Sequence, residues 1–313
     1  MKIRTPSRLH LTLIDLNGSI GRIDGGVGLA LDEPFVEIKF EESENIKVGG
    51  KAINLSRFED VAKKFGGFFK KGIKINVLSD YYDHVGLGSG TQITLAVGMA
   101  FNKLYNLGLN VDRIAEIGGR GGTSGIGVNA FKVGGFIVDG GHSKKIKSDF
   151  LPSSASKAKP APIVARHDFP DWKIVVAIPE LKGFYGKREV NLFQSCCPIP
   201  LDEVRELCHL ILMKMLPSVV EADLDEFGIA LRRIQQIGFK KSEINQYGNL
   251  IWDLLSSMEE YAIGMSSTGP SVFVILDSNA KDVEKEIKSY FKEKGLYCVS
   301  FITKARNRGA EIE

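Results

Sequence analysis

Apolar and polar positions alternate near the start of the chain. Leu9, Leu11 and Leu13 fall on one parity, and Val36, Ile38 and Phe40 repeat the pattern. A period of two predicts a strand at each run. Ile73, Ile75 and Val77 predict another over 73–78. Phe58, Val61, Ala62 and Phe65 stand at helical spacing and predict a helix over 56–65. The run ITLAVGMAFNKLYNLG is apolar on most faces, which predicts a buried helix ending at Gly108. Asp112 reads as the N-cap of a helix over 111–117. Strands follow over 136–139 and 173–178, and amphipathic helices over 201–215, 223–237 and 247–261. GMSSTGPSVFVIL joins a turn to a strand. Val283, Ile287 and Phe291 mark a last helix, and 297–302 a last strand. The segment 142–171 is rich in Lys, Ser and Pro without helical period, and reads as a connector. The expected class is α+β in two domains, 1–160 and 161–313, with helices dominating the second.

Glycine changes this picture. The chain has 34 glycines in 313 residues, against about 22 at average usage. Fifteen lie between Gly86 and Gly141, and five between Gly18 and Gly28. They sit in short segments beside apolar runs, not among Ser and Pro. That pattern points to packed turns or to backbone brought close to a ligand. Hydrophobic content of 43% and charged content of 25% are ordinary for a folded chain. A net charge of +3 without a dense Lys/Arg run argues against a nucleic-acid partner. Cys196, Cys197, Cys208 and Cys298 are too few for a disulfide scaffold, and none has CxxC spacing. MKIRTPSRLH lacks the apolar core of a signal peptide. No apolar run reaches the roughly 18 residues of a membrane span. A cytoplasmic protein is expected.

Three glycine loops carry candidate chemistry. In His84-Val-Gly-Leu-Gly-Ser-Gly-Thr-Gln92 a strand turns directly into a helix. Unpaired N–H groups and the positive helix end make such a loop an anion site. Gly86, Gly88 and Gly90 allow close approach, and Ser89, Thr91 and Gln92 add side-chain donors. A tight turn without ligand is the alternative. No GK[ST] follows, so the loop is not a Walker A motif, and it is not a GxGxxG. The second loop, GGRGGTSGIG, carries Arg120, Thr123 and Ser124. The third holds Ser266, Ser267, Thr268 and Gly269 before Pro270. The second reads equally as a close helix contact through small residues, and the third, on its own, rather as a plain turn. A further glycine-rich segment, NGSIGRIDGGVG, reads as a loop between the first two strands.

These loops, in this order, resemble the GHMP kinase superfamily. HVGLGSGTQ is similar to its phosphate loop, GGTSGIGVNAFKVGG to its following helix segment, and GMSSTGPSVFVIL to its C-terminal glycine motif. The resemblance implies an N-terminal domain of the ribosomal-protein-S5 type and a ferredoxin-like α/β C-terminal domain. It also exposes departures. Gly127 stands where the kinases carry the Asp that handles the substrate hydroxyl. Gly90-Thr91-Gln92 replaces Ser-Ala-Ala, and Pro6-Ser7-Arg8 replaces the opening Pro-Gly/Ala-Lys. SRLHLTLIDLNG, GRIDGGVGLAL, GLGSGTQ, GRGGTSGIG, PSVVEADLDEFG and GMSSTGPSVF together resemble a narrower branch, the β-ribofuranosylaminobenzene 5′-phosphate synthase family of methanopterin biosynthesis.

That resemblance implies a reaction. Phosphoribosyl pyrophosphate and 4-aminobenzoate (or 4-hydroxybenzoate) would give the C-riboside 5′-phosphate, CO2 and pyrophosphate. It further implies Mg²⁺ and a homodimer. Loss of pyrophosphate leaves an oxocarbenium-like centre that a fixed carboxylate would stabilise. Asp15 and Asp24, with Arg22 between them, are the expected catalytic group. Arg8 and His10 alternate opposite to the leucines and join the expected phosphate ligands. Asp139, the Glu221/Asp223 pair, and Lys187, Arg188 and Glu189 stay open between site and surface. Phe184, Tyr185, Phe193 and Trp172 stay open between acceptor pocket and core. The kinase reading, and a non-catalytic phosphate binder, remain the alternatives.

Overall fold

The computed structural model describes residues 1–153 and 155–313. The chain runs through β1 (Lys2–Asp15), β2 (Arg22–Glu41), β3 (Ile46–Gly50), α1 (Leu55–Phe69), β4 (Ile73–Ser79), α2 (Ser89–Leu104), α3 (Val111–Gly118), α4 (Ile126–Val133), β5 (Phe136–Asp139), β6 (His142–Ser143) and β7 (Ile163–His167). It continues through β8 (Lys173–Pro179), α5 (Lys187–Cys196), α6 (Leu201–Leu210), a π-helical turn (Ile211–Met215), α7 (Leu216–Glu221), α8 (Leu224–Gln235), α9 (Gly238–Asn245), α10 (Asn249–Ser257), β9 (Ala262–Met265), β10 (Val272–Leu276), α11 (Ala280–Glu293), β11 (Cys298–Lys304) and β12 (Glu311–Ile312). Among the described residues, no helix is long and apolar enough to cross a membrane. The α+β expectation holds.

Two sheets organise these elements. The first follows the order β12-β1-β2-β4-β3, with β5 and β6 also paired to β2, and β7 to β5. The second follows β11-β8-β10-β9 and is antiparallel throughout. Leu9 and Leu11 of β1 are buried in the core, beside Val27, Leu29, Ile38 and the α2 residues Ile93, Leu95 and Val97. Val175, Val274, Ile287 and Phe291 build the core between the second sheet and α11. The chain end returns to the first sheet, where Ile3 pairs with Ile312.

Several segments differ from their sequence pattern. The segment 142–171 is not merely a connector, because it supplies β6 and β7 to the first sheet. Most of NGSIGRIDGGVG is strand, and only the turn before Arg22 is loop. Its glycines serve close packing there. A Cβ on Gly28 would lie 2.6 Å from the Leu9 carbonyl oxygen and would also overlap Ile126. α3 is capped by Asn110, whose side chain accepts from the Arg113 N–H at 2.9 Å, and not by Asp112. Asp112 lies instead in the first turn, where a carboxylate favours the helix dipole.

The fit at Gly28 yields a prediction. G28A should destabilise the fold by about 1–3 kcal/mol, the usual cost of overpacking against backbone. Urea denaturation would show it as a lower midpoint, and an unchanged midpoint would remove the packing role.

Candidate active site

The three glycine loops meet on β1. Ser266 Oγ accepts from the His10 N–H at 3.0 Å and donates to the Gly86 carbonyl at 2.7 Å. The Ser267 N–H donates to the His10 carbonyl at 2.9 Å, and the Arg8 N–H to the Leu87 carbonyl at 3.1 Å. A cavity of about 250 Å³ opens where these segments converge. Of the expected ligands, Arg8, His10, Gly86, Gly88, Ser89, Gly90, Thr91, Arg120, Thr123, Ser124, Ser267, Thr268 and Gly269 line it. Gln92 and Ser266 stand behind the wall, where the Gln92 amide donates to the Gly127 carbonyl at 2.8 Å.

One end of the cavity is cationic. α2 begins at Ser89 with Gly88 in a left-handed conformation (φ 82°) that an L side chain rarely adopts. Its free N–H end faces Arg57 and Arg120, which both approach Gly90. Arg57 is paired to Asp83, and Asp83 also accepts from the Ser89 hydroxyl. Among the described residues Arg120 has no carboxylate partner. Burial, and then the Arg57 charge, pull its guanidinium down to about 10, so it stays charged at neutral pH. Two arginines, only one of them paired to a carboxylate, and a helix start leave this end with the positive charge that suits an anion. His84 stacks on Tyr185 at the rim, with ring centres 3.8 Å apart.

Arg8 stands between this end and the other, against Gly88 and bonded to the Gly86 carbonyl. Beyond it the wall is aromatic and acidic: Phe184, Phe193, Phe239, Glu189 and Glu243. Phe193 and Phe239 pack 4.5 Å apart and join Leu13 in one apolar cluster. Glu243 pairs with the fully buried Lys240 one turn earlier on α9. The Lys240 ammonium also reaches the Ser267 carbonyl at 3.3 Å. Of the aromatic residues left open by the sequence, Phe184, Tyr185 and Phe193 line the cavity. Trp172 is core, packed edge-on against Phe169.

A polar line runs along one wall. His10 Nε2 lies 3.0 Å from Ser124 Oγ, which lies 3.4 Å from Asp139 Oδ2. Asp139 also accepts from the N–H groups of Gly125 and Gly141. Burial pushes its carboxyl up to about 7 despite those bonds. Burial, reinforced by Arg8 and Lys240, holds the His10 imidazole well below its usual range, so it is neutral at pH 7. The line is closed at Gly26, where a Cβ would lie 2.8 Å from Ser124 Oγ and 3.0 Å from Asp139 Oδ2.

The expected catalytic trio lies outside the cavity. Asp15 Oδ1 accepts from the N–H groups of Asn17 and Gly18, both at 2.8 Å, and so caps the turn after β1. Arg22 donates to the Gly140 and Gly141 carbonyls at 2.9 and 3.1 Å. Asp24 is buried against the Lys147 ammonium, 2.9 Å away, and the His142 ring, 2.6 Å away. Period two along β1 places Asp15 with the leucines, but the turn claims its carboxylate first. Arg57, His84, Phe239 and Glu243 line the cavity, with Lys240 behind Glu243, and the sequence reading missed all five. Arg57 lies at the start of a helix read only for its apolar face. Lys240 and Glu243 lie on α9, whose i, i+3 ion pair was the available signal.

The family description "GHMP kinases N terminal domain" matches residues 53–135, and "GHMP kinases C terminal" matches 215–293. A β-ribofuranosylphenol 5′-phosphate synthase of Archaeoglobus fulgidus is 64% identical over 313 residues, covering 100% of this chain and 99% of that one. Its namesake from Methanocaldococcus jannaschii is 46% identical, with 100% of both chains covered. The chain belongs to the β-ribofuranosylphenol 5′-phosphate synthase family. The phosphomevalonate kinase structure of Streptococcus pneumoniae is similar to it in fold, with a TM-score of 0.70 at 10% identity over 97% of this chain and 99% of that one. In this synthase-family chain Gly127 lies against Thr91, and a Cβ there would meet Thr91 Cγ2 at 3.2 Å. No acid stands at the kinase position.

Asp24 generates a prediction about stability. D24N leaves Lys147 without its buried counter-charge, which should cost about 3–5 kcal/mol. Equilibrium denaturation checks it, and a loss below about 1 kcal/mol would contradict the structural role.

Proposed function

We propose that the chain transfers the phosphoribosyl group of phosphoribosyl pyrophosphate to 4-hydroxybenzoate or 4-aminobenzoate with decarboxylation, releasing pyrophosphate and CO2. The observation that carries this reading is one cavity with a cationic end and an aromatic end, in a chain so close to a β-ribofuranosylphenol 5′-phosphate synthase. The word phenol in that name favours the hydroxy acid as acceptor.

Pyrophosphate would occupy the Gly86–Thr91 loop, with Arg57 and Arg120 as charged donors. Its departure is assisted where negative charge develops, at the start of α2. The second and third loops supply hydroxyl and N–H donors for the 5′-phosphate. The ring would lie among Phe184, Phe193 and Phe239. Attack by a ring carbon needs no base for an alcohol nucleophile, in keeping with glycine at position 127.

The described residues hold no group of three or more His, Cys, Asp or Glu side chains able to bind a metal ion. Mg²⁺ would arrive on the pyrophosphate, since this hard ion keeps several waters and takes few protein carboxylates. Asp83 and Ser89 are the oxygen groups that would hold it. Bound there, it would neutralise charge on the leaving group. A homodimer in the cytoplasm, acting in methanopterin biosynthesis, completes the proposal and rests on the family resemblance.

Two measurements test the reading. Carboxyl-labelled 4-hydroxybenzoate with phosphoribosyl pyrophosphate and Mg²⁺ should release labelled CO2 only when both substrates are present. ATP turnover with an alcohol and no CO2 from either aromatic acid would overturn it. R120A should weaken pyrophosphate binding at least about tenfold, or about 1.4 kcal/mol. Calorimetric titration reads that change, and equal affinity would move the leaving group elsewhere.

A further inference from the structure

Glu189 is the one carboxylate on the cavity wall with neither a hydrogen bond nor an ion pair among the described residues. It lies in the first turn of α5 and lines the cavity together with the aromatic residues of the acceptor end. Its neighbour Glu243 is matched by Lys240. The other carboxylates near the site are also engaged: Asp83 by Arg57 and Ser89, Asp139 by two backbone N–H groups. An unpaired carboxylate on the wall beside an aromatic pocket is available to a polar group on the ligand.

The proposed reaction supplies one. The ring carbon that attacks the ribose bears the carboxylate, and its end of the ring must face the departing pyrophosphate at Arg57 and Arg120. The para substituent then points the opposite way, toward Glu189. Resting on the functional reading above, we propose that Glu189 takes the proton of the acceptor's para hydroxyl as the ring attacks, and returns it after CO2 has left. The bonds balance. The C1–oxygen bond breaks and its electron pair leaves with pyrophosphate. The C1–carbon bond forms from ring electrons, which the para oxygen replaces as its O–H pair folds into a dienone. The carbon–carboxylate bond then breaks, CO2 departs, and that electron pair restores the aromatic ring with a phenolate. Glu189 returns the proton to that phenolate, so no net proton is consumed and no oxidant is needed.

The electrostatics suit the role. Burial and the Glu243 charge push the Glu189 carboxyl up to about 7, while Arg8 on β1 opposes the shift. A base works best with a pKa near the operating pH. The charges acting on Glu189 are Glu243 on α9 and Arg8 on β1, with Lys240 behind Glu243 and neutral His10 beside Arg8. Glu189 must be ionised to accept a proton, so activity falls as pH drops below about 7. An amino group behaves differently, because its lone pair donates to the ring without first losing a proton.

CO2 release from labelled 4-hydroxybenzoate and 4-aminobenzoate tests this, measured from about pH 5.5 to about 8.5 on wild type, E189Q and E189D. E189Q should lose at least about a hundredfold in kcat/KM with the hydroxy acid, as expected for a missing general base. With the amino acid the loss should stay below about tenfold, and the acid limb of the hydroxy-acid profile should vanish. E189D should retain that limb and recover part of the rate. Pyrophosphate affinity unchanged in both variants separates this from misfolding. An active wild type with E189Q within about threefold of it, or with equal losses for both acids, overturns the assignment alone. A wild type silent with both acids overturns the reaction and this assignment together.

Discussion

Ser266 holds together three segments that lie far apart in the chain. Its hydroxyl takes the His10 N–H of β1 and gives its proton to the Gly86 carbonyl of the phosphate loop, while its own backbone begins the third loop. The side chain is fully buried. Each of these groups, left unpaired, would cost about 1–3 kcal/mol. The close approach is possible because Gly86 and Gly269 face each other without side chains, and a Cβ on Gly269 would overlap the Gly86 backbone. The cavity depends on this junction. Arg8 and His10 enter it from one side of Ser266, the phosphate loop from another, and Thr268 from a third.

The junction also sorts charge. On the Gly90 side lie Arg57, Arg120 and a positive helix end, with a single carboxylate between them. On the α5 and α9 side lie three phenylalanines, Glu189, and Glu243 with its buried lysine. Arg8 separates the two regions. A substrate pair with a pyrophosphate at one end and an aromatic ring at the other fits that division. An alcohol and a nucleotide would call for a base near position 127, where this chain has glycine packed against Thr91.

Much of the fold was legible in the sequence. Alternation marked β1, the second half of β2 and β4, and helical spacing marked α1, α8 and α11. The strand-to-helix glycine loop was legible because its chemistry is local. The errors share a cause. Asp15, Arg22 and Asp24 carry the right functional groups, but each is consumed by a partner distant in sequence or by backbone in a turn, and local spacing cannot register that. Arg57, Lys240 and Glu243 are ordinary helix residues until tertiary packing brings α1 and α9 to the same cavity. The strands β6 and β7 have too few apolar positions to reveal a period, and only their partners on β2 and β5 define them.

The central claim is that the reaction occurs where the three loops meet, and not at the turn after β1. A crystal structure with pyrophosphate and the C-riboside 5′-phosphate product bound tests it most directly. Pyrophosphate should lie on the Gly86–Thr91 loop within reach of Arg57 and Arg120, with the aromatic ring beside Phe193 and its para oxygen at Glu189. Pyrophosphate seated against Asp15 and Arg22, or a ring outside the aromatic wall, would contradict the account.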